Sequence, residues 1–167
     1  MSQESVRLQV PEVPIDHPDH YSNSPNIMTM FKYIEKYADS KDNRIGAIEL
    51  IVPPHTSGPP AHWHEMHDET FLVTKGTIRF HVPVTPSNPT EKTIDAKEGD
   101  YVVVPTRSPH TFSNPTGGES RFFNTFTPAF YVNYFKLMAQ MAEEAGGLTP
   151  EINKKAMASF ATLPLPG

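Results

Sequence analysis

His62-Trp63-His64-Glu65-Met66-His67-Asp68-Glu69 packs three imidazoles and three carboxylates into eight residues. His62 and His64 are two apart, so a β-strand points both to the same face. Two imidazoles on one face, with a carboxylate a few residues later, can hold a divalent metal and leave coordination positions open. After Glu69 comes Thr70-Phe71-Leu72-Val73-Thr74, an apolar stretch that sets the cluster at the mouth of a core. A distant histidine, His110, follows the segment from Gly99 to Pro109 and precedes Asn114.

The elements that present these groups are expected to belong to one domain, because 167 residues bury a core without disulfides or structural zinc. Cysteine is absent, which excludes disulfides, thiolate ligands and iron–sulfur clusters. A net charge of −5 with no run of Lys or Arg argues against a nucleic-acid or anionic-membrane partner. No apolar run approaches a membrane span, and the N-terminus lacks a basic-then-apolar signal pattern, so a cytoplasmic protein is expected. Eighteen prolines favour short strands and loops over helices.

Residues 1–28, broken by Pro11, Pro14, Pro18 and Pro25, read as an extended arm in which His17 and His20 are solvated. Met28 to Tyr37 favours a strand through its aromatics. Ile45 to Val52 is a strand stopped by Pro53-Pro54. Thr70–Thr74 and Thr77–Val82 flank Lys75-Gly76 as a hairpin. Thr93–Ala96 is a short strand, Tyr101–Val104 a buried one ended by Pro105, and His110–Asn114 and Arg121–Phe126 complete the set. Short strands punctuated by Gly and Pro argue for a mainly β sandwich or barrel over residues 29–128. Residues 129–167 change to a helical extension. Phe130, Tyr134, Leu137, Met138 and Met141 form a helical stripe that Gly146-Gly147 ends. Thr149-Pro150-Glu151 starts a second helix reaching to about Phe160, and Leu163 to Gly167 is a tail.

Both chemistry-bearing stretches resemble the two motifs of the cupin superfamily. The first, His-x-His, four residues, Glu, six residues, Gly, is met by His62, His64, Glu69 and Gly76. The second is met by Gly99, Pro105, His110 and Asn114, with Arg107 standing where the family usually has Gly. The nearest residue to the first motif's leading glycine is Gly58. The resemblance implies a double-stranded β-helix, a jelly-roll barrel followed by one or two helices. It also implies that His62, His64, Glu69 and His110 bind one divalent transition metal: Fe, Mn, Ni, Co, Cu or Zn.

Pro-x-His-Trp-His-x-x-x-Asp-Glu-x-Phe and the C-terminal helix pair are similar to the quercetin 2,3-dioxygenase-like group. That implies a metal-dependent dioxygenase in which O₂ reacts with a small aromatic or polyketide-like substrate, such as a polyphenol, and Glu69 doubles as general base. His67 reads either as a rim residue or as a catalytic acid–base group. A pocket of Phe71, Phe80, Phe112, Phe122, Phe126 and Tyr101 around the metal would suit a flat organic molecule. Trp63 alternates with the ligands and faces outward, Asp68 serves a bend, and His55 and His81 read as ordinary. Two other functions use the same fold. One is a non-oxidative isomerase, cyclase or decarboxylase with His67, Glu65 or Tyr101 as acid–base group, and the other is a non-catalytic metal- or ligand-binding protein. A homodimer is the expected assembly.

Overall fold

Alternation of apolar and polar side chains along eight short strands builds the barrel. In order they are β1 (Gly46–Val52), β2 (His62–His64), β3 (Asp68–Lys75), β4 (Thr77–Val82), β5 (Lys92–Lys97), β6 (Tyr101–Val104), β7 (Thr111–Ser113) and β8 (Ser120–Thr127). The structure is a computed structural model and describes residues 44–86 and 88–165. The expected arm at 1–28, its His17 and His20, and the strand expected at Met28–Tyr37 lie outside the described residues.

A four-stranded sheet in the order β1-β8-β3-β6 faces a three-stranded sheet in the order β5-β4-β7, and every pairing is antiparallel. This is the mainly β double-stranded β-helix that the motifs implied. β8 shows the period-2 logic: Ser120, Phe122, Asn124 and Phe126 are buried, while Arg121, Phe123 and Thr125 alternate with them on the outer side. The aromatic core is continuous, with the Phe122 ring 5.3 Å from Phe71 and 5.0 Å from Phe112. Phe122 is 0% exposed. Phe122→Ala is expected to cost about 3–5 kcal/mol of stability, read as a lower urea midpoint at unchanged slope.

Two expectations about strands need correction. Lys75-Gly76 is not a hairpin turn, because β3 and β4 belong to different sheets. Gly76, at φ +73°, turns the chain from one sheet to the other, and a Cβ there would lie 2.6 Å from Ser120 Oγ. That hydroxyl accepts from Thr77 N–H at 3.1 Å and donates to Thr77 C=O at 2.9 Å, pinning the corner. Tyr101–Val104 is not a buried strand either. Among the described residues β6 is the sheet's edge, paired only with β3, and Tyr101 and Val103 are 61% and 56% exposed. Tyr101 therefore leaves the list of interior aromatics, whereas Phe71, Phe80, Phe112, Phe122 and Phe126 are all buried.

After β8 a 3₁₀ turn (Ala129–Tyr131) leads into α1 (Val132–Ala145), which buries Val132, Tyr134, Met138 and Ala142. Gly146 ends it in the left-handed conformation, φ 74°. α2 (Pro150–Ala158) is capped by Thr149, whose hydroxyl accepts from Ile152 N–H. The tail expected at Leu163 is instead part of a strand, β9 (Thr162–Pro164), paired antiparallel with β2. No helix among the described residues is long and apolar enough to cross a membrane.

Candidate metal centre

β2 is held from both sides. On one side His62 N–H donates to His110 C=O at 3.0 Å and His110 N–H donates to His62 C=O at 2.9 Å, which brings the distant histidine beside the first. On the other side the β9 register sets His62 opposite Pro164 and His64 opposite Thr162. Strand alternation buries His62 and His64 and leaves Trp63 half-buried between them. Glu69 is the second residue of β3 and faces inward, paired with Val104 and Phe126. Asp68, one residue earlier and exposed, accepts from Thr106 N–H at 2.8 Å and fixes the bend where β3 begins.

Three of the imidazoles share one arrangement. His62 Nδ1 donates to Pro60 C=O at 2.7 Å, His110 Nδ1 donates to Ser108 C=O at 2.9 Å, and His64 Nδ1 hydrogen-bonds Thr162 Oγ1 at 3.0 Å. Each ring is thus oriented by an oxygen behind it and has Nε2 left for the interior. This is how metal-ligating histidines are fixed. Glu69 Oε2 lies 3.1 Å from both His64 Nε2 and His110 Nε2. His64 Nε2 is buried and makes no hydrogen bond. The donor atoms of His62, His64 and His110 lie within 4.8 Å of one another. A set of neutral nitrogens and one carboxylate oxygen, with a buried nitrogen lacking a partner, fits a divalent cation.

The electrostatics point the same way. Burial, reinforced by the neighbouring His110 and His64, pushes the His62 imidazole down to about 3, and burial lowers that of His64. Both are neutral at physiological pH. Burial alone would raise the Glu69 carboxyl, but the histidines packed against it, His64 foremost, outweigh burial and hold Glu69 well below the usual carboxylate range. Neutral His62 and His64 beside an anionic carboxylate are in the protonation state that metal binding requires.

His67 is placed differently. It is 1% exposed, not a rim residue, and neither ring nitrogen has a hydrogen-bond partner. Its ring packs between His64, at 4.0 Å, and Tyr131, at 4.1 Å, with Phe126 edge-on. Nε2 lies 3.8 Å from Glu69 Oε1, the carboxylate oxygen turned away from His64 and His110. With no oxygen fixing Nδ1, His67 lacks the anchoring of the other three and stands behind the carboxylate.

His62, Glu69 and His110 line a cavity of about 100 Å³ together with Phe71, Phe112, Phe122, Asn124 and Tyr131. The space exceeds what a single water needs, and its walls are mainly apolar. Sequence reasoning missed three of the residues that shape this site. Thr162 orients His64, Tyr131 packs on both His64 and His67, and Asn124 is a buried carboxamide in the cavity wall whose nitrogen donates to Thr70 C=O. Buried polar types on an otherwise apolar strand face mark Asn124 in retrospect. Nothing in the sequence marks Thr162.

Arg107, at the position where the motif has glycine, adopts φ +62°. Its side chain is exposed and pairs with Glu65 at 2.9 Å, while Glu65 also accepts from Trp63 Nε1 at 2.8 Å. Arg107 and Glu65 therefore form a surface link outside the cavity wall. Arg107→Gly and Arg107→Ala both lose that pair, and only glycine relieves the left-handed backbone. The glycine variant is expected to be more stable than the alanine one by about 1 kcal/mol, measured by chemical denaturation.

The cupin domain family model matches residues 48–126. No curated protein matches the chain. Among solved structures it is similar to a double-stranded β-helix protein from Klebsiella pneumoniae, at 17% identity over 52% of this chain and 70% of that one, TM-score 0.45. It is also similar to KdgF from Halomonas sp., at 21% identity over 52% and 71%, TM-score 0.43. A third is the DMSP lyase DddQ from Ruegeria pomeroyi, at 18% identity over 51% and 39%, TM-score 0.42. That match spans well under two thirds of the lyase's own length. The barrel and the order of the two motifs agree with that family match, which covers residues 48–126, a little under half of the chain.

Proposed function

We propose that the chain is a metal-dependent cupin enzyme, a quercetinase-like dioxygenase acting on a polyphenol or aromatic polyketide-type substrate. One observation carries the reading. Three imidazoles fixed at Nδ1 leave Nε2 for a site shared with the Glu69 carboxylate, at the wall of a mainly apolar cavity. His62, His64, Glu69 and His110 would hold one divalent transition metal, drawn from Fe, Mn, Ni, Co, Cu or Zn. When bound, the ion supplies Lewis-acid stabilisation of a substrate oxyanion.

The protein's own groups do the rest. Glu69 would accept the proton of the substrate's enol or phenol hydroxyl as the general base. His67, whose Nε2 lies 3.8 Å from Glu69 Oε1, would be the acid–base partner of that carboxylate. Phe71, Phe112 and Phe122 seat the flat substrate and keep water from the reacting atoms.

Oxygen uptake tests this reading, using the protein loaded with each metal in turn and a panel of flavonols and other polyphenols. Uptake that requires both metal and polyphenol supports it. Turnover that continues under strict anaerobiosis replaces it with a non-oxidative isomerase, cyclase or decarboxylase. For that chemistry His67 is the remaining acid–base candidate, since Glu65 is engaged with Trp63 and Arg107 and Tyr101 points outward. Tight binding without turnover in either atmosphere makes the chain a non-catalytic binding cupin.

A further inference from the structure

The cavity does not stop at the histidines. It continues between the barrel and the C-terminal helices, where Tyr134, Met138, Leu148 and Asn153 complete its wall. Two of these side chains are polar and buried: Tyr134 is 4% exposed and Asn153 8%. Across the contact between α1 and α2, the Tyr134 hydroxyl donates to Asn153 Oδ1 at 2.6 Å. Tyr134 stacks on Tyr131 at 4.8 Å, and Tyr131 meets His64 at 4.9 Å. The polar pair therefore stands two ring contacts from the metal-ligand cluster.

A carboxamide carries two N–H donors besides its oxygen. With Oδ1 taken by Tyr134, the Asn153 side chain makes no other hydrogen bond to a described residue, and its nitrogen is the group it has left to offer the cavity. We propose that Asn153, held in place by Tyr134, is a specificity-determining contact for the far end of the substrate. The cavity then takes an elongated, largely apolar molecule with a metal-binding oxygen at one end and a hydrogen-bond acceptor at the other. Both residues lie outside the family match at 48–126, so this selectivity belongs to the appended helices. The proposal rests on the metal-dependent polyphenol reading above.

The alternative is that Tyr134–Asn153 merely ties two helices together. The double variant Tyr134→Phe with Asn153→Leu separates the two. Replacing both partners by apolar groups of similar shape is nearly neutral for folding, which an unchanged thermal midpoint would verify. Protein loaded with redox-inert zinc is titrated anaerobically with two flavonols that share one chelating edge, 3-hydroxyflavone and quercetin, the latter carrying distal hydroxyl oxygens. The expected result is that wild type prefers quercetin, and that the double variant loses about 10- to 100-fold in quercetin affinity while holding 3-hydroxyflavone as before. Equal affinity of wild type and variant for quercetin, or equal losses for both flavonols, overturns this proposal alone. Failure of wild type to bind either flavonol overturns the polyphenol reading and this proposal with it.

Discussion

His64→Ala protein is expected to fold and to lose its divalent metal. His64 is the central member of the cluster, with Nε2 3.1 Å from Glu69 Oε2 and its ring within 4.8 and 5.3 Å of His62 and His110. Losing an outer-shell partner of a metal ligand typically weakens binding 10- to 100-fold, so losing the ligand itself should weaken it by more than about 100-fold. The fold survives because β2 is secured through its backbone, by the His62–His110 exchange on one side and the β9 pairing on the other. Metal added to wild type should raise the thermal midpoint, as any ligand of the native state does, and should leave that of the variant unmoved. Metal analysis after dialysis, with circular dichroism as the control for folding, checks both halves. A variant that retains metal would remove His64 from the site.

Thr162→Val is expected to weaken metal binding about 10- to 100-fold while every direct ligand remains. The valine is close to isosteric but cannot hydrogen-bond His64 Nδ1, so the ring loses the contact that orients it. Thr162 is 0% exposed and also reaches the Tyr131 hydroxyl at 3.3 Å, so the same change loosens Tyr131 beside His67. Competitive titration of zinc against a chelator of known affinity reads the change. Thr162→Ser keeps the hydroxyl and is expected to bind zinc as wild type does. If both variants behave alike, packing rather than the hydrogen bond is what Thr162 supplies.

Those two residues mark the boundary of what the sequence made legible. His62, His64 and Glu69 could be found because chemistry-bearing side chains recur at strand spacing beside an apolar run, and His110 joined them through the resemblance of Gly99–Asn114 to the second cupin motif. Thr162 could not, because Thr-Leu-Pro near a chain end carries no strand signal of its own. It becomes a strand only because β2 offers it an edge. Of the two readings of His67, burial excludes the rim residue. An acid-rich stretch suggests solvent, whereas its burial is imposed by Tyr131 and Phe126, about sixty residues further along the chain. Tyr101-Val102-Val103-Val104 reads as strand correctly, yet β-branched residues favour central and edge strands alike, so composition could not tell that β6 is an edge. Lys75-Gly76 carries a turn signal that is the same for a hairpin and for a corner between sheets. The helices were placed by period and caps, with α2 ending at Ala158 rather than near Phe160. That they complete the cavity wall was not visible in their apolar stripes.

The most direct test is a crystal of the cobalt-loaded protein examined by anomalous scattering. A single strong peak is expected, bonded to Nε2 of His62, His64 and His110 and to the Glu69 carboxylate, with His67 outside bonding distance. The absence of any peak at these residues, or a peak bonded to a different set of side chains, would contradict the assignment of this site as a metal centre.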